Sequence, residues 1–152
     1  MVVASTYLVD TGILLRISRP ADPNQAIVDA ALATLAQASA ELVYTHQNIA
    51  EFWNVCTRPL ERNGIGLSVA KTVKEVQVIE RTMRLLPDSE AVYREWRRLV
   101  ETHAVSGAKV HDARLVASMV VHGVTHLLTL NPGDFARYPE ITAIHPGALA
   151  GT

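Results

Sequence analysis

The sequence predicts an α/β protein, a mainly parallel sheet of about four to five strands covered on both faces by helices. Two observations carry this. Apolar and β-branched runs of four to six residues alternate with longer stretches of helical periodicity, and parallel strands need crossover connections of that kind. The chain has 152 residues, 49% hydrophobic and 19% charged, enough for one packed core and short for two, so residues 1–152 read as one domain.

The first run, TYLV at 6–9, reads as a buried strand. A helical stretch follows from Thr11 to Ile17 until Arg19-Pro20 breaks it. The segment from Asp22 to Ser39 reads as a helix with Asp22 as N-cap, Pro23 at the first helical position, and Ile27, Ala30, Ala31 and Leu35 on one face. ELVYT at 41–45 is the second strand, and QNIAEFWNVCT at 47–57 is a helix stopped by Arg58-Pro59, with ERNGIG as a loop. Between 67 and 82, Val69, Val73, Val76 and Ile79 line one face of an amphipathic helix. MRLLP at 83–87 is a weaker third strand, and a polar-faced helix spans 89–103. After Gly107, the segment 110–123 is a helix whose terminal Gly123 suits the left-handed position past a helix end. THLLTL at 125–130 is the fourth strand, NPGDFARYP at 131–139 a turn, and ITAIHP at 141–146 a short fifth strand.

Composition removes several functional classes. The net charge of −1 gives no broad basic field, so any nucleic acid must be held by local patches. A single cysteine, Cys56, excludes an intramolecular disulfide framework and a thiolate zinc cage; it reads as a small buried residue. Ser5, Thr6 and Asp10 interrupt the N-terminal stretch where a signal peptide would be apolar, and no run of about 18 apolar residues occurs. A cytoplasmic protein without membrane attachment is expected. Asp-Thr-Gly at 10–12 matches an aspartic protease at three letters, but those enzymes are all-β and need two such loops.

In open parallel sheets, ligands sit beyond the carboxyl ends of the strands. Asp10 follows the first strand, and Glu51 lies early in the helix after the second, where helical side chains lean back toward the N-terminus. Asp112 opens a helix, and Asp134 follows the fourth strand with Asn131 just ahead. Each acid alone has an ordinary explanation as a helix cap, a solvated helix residue or a turn former. Gathered at one rim they would repel one another unless a cation intervened, and hard oxygen ligands suit Mg²⁺ or Mn²⁺ better than Zn²⁺. Arg114 is the basic residue read within these motifs.

The segments YLVDTGILL, QNIAEFWNV and VHDARLVASMVVHGVTHLLTLNPGDF resemble, in order and spacing, the motifs of the PIN-domain nucleases, especially the VapC-type toxin ribonucleases. The resemblance spans nearly the whole chain and is most specific from HDARLVA to LLTLNPGDF. It implies a three-layer α/β/α PIN-like fold. It also implies that Asp10, Glu51 and Asp112 form a metal-binding cluster, completed by Asp134, which uses one or two Mg²⁺ or Mn²⁺ ions to hydrolyse RNA. Many relatives carry an acid where Asn131 stands, so the fourth ligand is either Asn131 or Asp134. QNIA before Glu51 replaces the commoner serine-rich lead. Thr11 and Thr129 read as supporting polar residues, and Arg114 as a contact for substrate phosphate or for the acids. A homodimer and a protein antitoxin, using the helices at 23–38 and 67–82, are implied by the same likeness.

Other features weigh less. His122 and His126 have zinc-ligand spacing, but Gly123 separates them; His111 reads as a surface or supporting histidine. Phe52, Trp53 and Trp96 read as core, and Arg81, Arg84, Arg94, Arg97 and Arg98 as a solvated face with a secondary reading as phosphate contacts. The competing reading is a catalytically silent PIN-fold module that binds RNA or protein. A phosphotransfer domain with Asp10 as nucleophile ranks last, since a second aspartate near the first strand is missing.

Overall fold

The computed structural model describes residues 5–149. The ends of the expected 1–152 domain, and the start of the stretch read for a signal peptide, lie outside the described residues. Five strands run β1 (Thr6–Val9), β2 (Glu41–Thr45), β3 (Arg84–Leu86), β4 (His126–Leu128) and β5 (Thr142–Ile144). Six helices intervene: α1 (Thr11–Leu14), α2 (Gln25–Gln37), α3 (His46–Thr57), α4 (Val69–Thr82), α5 (Glu90–Thr102) and α6 (Lys109–His122). Short 3₁₀ turns occupy Leu60–Arg62, Pro132–Phe135 and Pro146–Ala148.

The sheet has the order β3-β2-β1-β4-β5, and every neighbouring pair is parallel. Strand order reverses between β1 and β4, so the chain leaves those two strands in opposite directions and opens a crevice at their carboxyl ends.

Side-chain alternation splits the core into two layers. Leu8, Val43, Leu86 and Leu127 face α5 and α6, where Val92, Leu99, Leu115 and Met119 are buried. Tyr7, Val9, Tyr44 and Leu128 face the opposite layer, built from Ile13, Leu14, Val28, Leu35, Phe52, Cys56, Val76 and Ile79 on α1 to α4. Both faces of the strands are therefore apolar, as a sheet covered on two sides requires. Each fully buried leucine or phenylalanine contributes about 1.5–3 kcal/mol relative to exposure. The result is the expected α/β/α sandwich.

Local details differ from the sequence reading. Helix α1 is a single turn ending at Leu14 instead of Ile17, and Ser18 turns the chain at φ 50°. Helix α2 starts at Gln25 because Asp22 is engaged elsewhere: its Oδ1 accepts from the Asn24 backbone N–H at 2.8 Å, and its Oδ2 lies 3.4 Å from Arg16 Nε. The buried stripe of α2 is Val28, Ala31 and Leu35, which leaves Ile27 exposed. On α4 the buried stripe is Thr72, Val76 and Ile79, while Val69 and Val73 face outward. Thr72 can be buried because its hydroxyl donates to the Ser68 carbonyl at 3.0 Å. Gly123 takes the left-handed conformation that ends α6, at φ 70°. It separates His122, which bonds the Pro87 carbonyl, from His126 in β4.

The arginines of α5 are paired on their own helix, Arg94 with Glu90, Arg97 with Glu101 and Arg98 with Glu95, and Arg98 also reaches Glu140 beyond it. Among the described residues, no helix is long and apolar enough to cross a membrane.

Candidate functional site

Asp10 leaves β1 at the point where strand order reverses. Its backbone N–H still donates to Leu128 of β4 at 3.0 Å, and its side chain caps α1 by accepting from the Thr11 N–H at 2.9 Å. The second carboxylate oxygen accepts from the Thr129 hydroxyl at 2.7 Å. Thr129 follows β4 and is fully buried, and its oxygen in turn accepts from the Asn131 N–H at 3.1 Å. Two neighbouring parallel strands thus fix one carboxylate. Burial raises the Asp10 carboxyl above its ordinary value of 3.8. The bonds from Thr129 and Thr11 pull it down, and the charges of Asp112 and Glu51 push it up further.

Glu51 approaches from the other side of β1. Helix α3 begins immediately after β2, with Thr45 as N-cap, its hydroxyl accepting from the Asn48 N–H and the Asn48 side chain accepting from the Thr45 N–H. This reciprocal box fixes the first turn, and Glu51 lies one turn further on. One Glu51 oxygen accepts from the Thr11 hydroxyl at 2.7 Å, the other from Gln47 Nε2 at 2.9 Å. Asn48, fully buried, donates to Thr11 at 3.1 Å. A continuous chain of bonds therefore runs from Thr45 through Asn48 and Thr11 to Glu51. Asn48 was passed over in the sequence, where its signal was the three-residue spacing from Thr45.

Asp112 sits in the first turn of α6 and is partly buried. Burial raises its carboxyl, Lys109 lowers it, and Asp134 and Glu51 raise it again. Asp134 lies in the 3₁₀ turn after β4, half exposed. The Lys109 ammonium stands 2.9 Å from Asp134 and 3.8 Å from Asp112. Lys109 was missing from the sequence reading, although three residues on a helix put it on the same side as Asp112. Arg114 turns instead toward Asp88, 3.5 Å away. With His46, Gln47, Glu51 and His111 it lines a cleft of about 400 Å³. Asn131 is exposed, and its backbone, not its side chain, is bonded to Thr129.

Four acids from separate parts of the chain thus share one electrostatic neighbourhood at the crevice. Asp10, Glu51 and Asp134 are each held by an internal donor, Asp112 has only the more distant Lys109 ammonium, and among the described residues no three Asp, Glu, His or Cys side chains close around one point as they stand. The donor set is carboxylate and hydroxyl oxygen, burial opposes ionisation of Asp10 and Asp112, and the Lys109 ammonium stands between Asp112 and Asp134. These residues fit a hard divalent cation.

The PIN domain family model matches residues 7–141. Among curated proteins, none matches the chain. Solved structures similar to it include VapBC2 from Rickettsia felis bound to a promoter DNA fragment, at 13% identity and a TM-score of 0.67, covering 92% of this chain and 98% of that one. Another is VapC20 of Mycobacterium tuberculosis, a toxin that cleaves the sarcin-ricin loop, at 16% identity and TM-score 0.64, covering 90% and 98%. FitAcB from Neisseria gonorrhoeae is similar at 20% identity and TM-score 0.61, covering 92% and 97%. At these identities the structures speak for the fold. The family match, extending over most of the length and containing every acid of the crevice, makes this chain a member of the PIN domain family.

Proposed function

We propose that this protein is a Mg²⁺- or Mn²⁺-dependent endoribonuclease, the toxin of a type II toxin–antitoxin pair. The observation that supports the reading is that Thr11 bonds Asp10 through its N–H and Glu51 through its hydroxyl, so two acids from separate elements meet at the sheet's switch point, within electrostatic reach of Asp112. Asp10, Glu51, Asp112 and Asp134 are the residues that would hold one or two ions. Asp134 is preferred over Asn131 because it faces Asp112 across Lys109. When bound, such ions supply the positive charge that makes water a better nucleophile and offsets charge on the departing 3′ oxygen.

The chain's own residues do the positioning. Thr129 and Thr11 aim the carboxylates of Asp10 and Glu51, each by a 2.7 Å bond. Arg114, in the cleft beside Glu51, would meet a substrate phosphate on leaving Asp88. The antitoxin is supported by the toxin–antitoxin complexes among structures of this fold, and a homodimer would draw on the exposed valines Val69, Val73 and Val78 on α4.

The test is Asp112→Asn against the parent protein on mixed cellular RNA, with and without chelator, folding being followed by circular dichroism. Cleavage that needs the metal and is lost in a folded Asp112→Asn supports the enzyme. The internal tethering of Asp10, Glu51 and Asp134 favours the second reading, a silent binding module. Intact RNA in a stable, chelator-indifferent complex would establish that one.

A further inference from the structure

We infer that Lys109 is a tethered counter-cation of the acid cluster, one that ties Asp112 to Asp134 and sets how tightly a divalent ion binds there. The inference rests on the metal-site reading above. Lys109 Nζ reaches across from the first turn of α6 to the turn after β4, 2.9 Å from Asp134 Oδ1 and 3.8 Å from Asp112 Oδ2. Arg114 is directed to Asp88, and Arg137, three residues after Asp134, adds positive charge near Lys109 without an ion pair to either acid.

The tie spans the two carboxylates and is weak enough to be broken. Lys109 and Asp134 are 44% and 43% exposed, and an ion pair that wet is worth little. The four-carbon stem lets the ammonium swing into water without disturbing α6. A divalent ion approaching Asp112 must therefore displace the ammonium or bind beside it, and in both cases the charge of Lys109 opposes it. Over a few ångströms in a solvated dielectric, removing that one charge strengthens divalent binding by about three- to tenfold. The lysine would thus raise the metal concentration at which the cluster loads.

The experiment is a Mn²⁺ titration of the full chain without RNA, reading the electron paramagnetic resonance signal of the free ion. It compares the parent protein with Lys109→Met, Lys109→Arg and Asp112→Asn. Lys109→Met is expected to bind Mn²⁺ about three- to tenfold more tightly, and Lys109→Arg, which keeps the charge, like the parent. Unchanged or weaker binding in a folded Lys109→Met overturns the inference. If the parent binds Mn²⁺ and Asp112→Asn does not, that failure belongs to the lysine alone. If the parent binds none, the metal-site reading falls and the lysine's role falls with it.

Discussion

Replacing Thr11 by valine removes one hydroxyl and almost no volume. That hydroxyl donates to Glu51 at 2.7 Å and accepts from Asn48 at 3.1 Å, in a position where Thr11 and Asn48 are both buried. Glu51 is partly exposed, so water recovers some of what it loses, and that bond is worth about 1 kcal/mol. Asn48 Nδ2 has no such recourse, and a buried donor left unsatisfied costs about 1–3 kcal/mol. The sum is a destabilisation of about 2–4 kcal/mol, roughly 6–12 °C in Tm for a domain of this size. Thr11→Ser, which keeps the oxygen, loses about 1 kcal/mol for its methyl group. Urea denaturation of both variants separates the two costs, since the midpoint should fall for valine with no change in slope. If Thr11→Val lies within about 0.5 kcal/mol of Thr11→Ser, the bonded chain from Thr45 to Glu51 does not stabilise the site and the reasoning fails.

Three other outcomes follow from the same geometry. Burial holds Asp10 above 3.8, so the folded state binds more protons than the unfolded one just above that pH, and this group costs stability as pH rises through its folded value. Asparagine does not titrate, so the Tm of Asp10→Asn minus that of the parent should increase from about pH 3.5 to about pH 7; a flat or falling difference contradicts the assigned shift. In Gly64→Ala the new Cβ would stand 1.8 Å from the Arg58 carbonyl oxygen, a backbone atom. A loss of about 2 kcal/mol or more is expected from that overlap, whereas Gly133→Ala, which meets open space, should leave the thermal midpoint nearly unchanged. Cys56 is fully buried and its thiol is pushed up to about 11, mainly by burial. Iodoacetamide at neutral pH should therefore modify it only on unfolding, and rapid alkylation of the native protein would show that the α3–α4 layer opens.

The sheet was legible because most strands are short apolar runs, and a polar residue marks the exit of β1 and β4, Asp10 and Thr129. The acids could be placed at one rim for the same reason. Helix faces were harder. Helix α2 is rich in alanine, and α4 has valines on several sides, so more than one stripe satisfies helical spacing; the neighbours decide which is buried. Val28 and Thr72 won over Ile27 and Val73 in that competition. Lys109 and Asn48 were missed because their roles depend on partners outside the motif that made each acid conspicuous. Asn48 reaches Thr11, 37 residues away, and Lys109 reaches Asp134 across the whole of α6 and β4.

The reading of this crevice as a nuclease site depends on one ion being shared by carboxylates that otherwise repel. Crystals soaked in Mn²⁺ and measured for anomalous scattering address that directly. An anomalous peak flanked by the carboxylates of Asp10 and Asp112, with Glu51 turned toward it, is the predicted result. Crystals saturated with Mn²⁺ that carry no peak between those residues would contradict it.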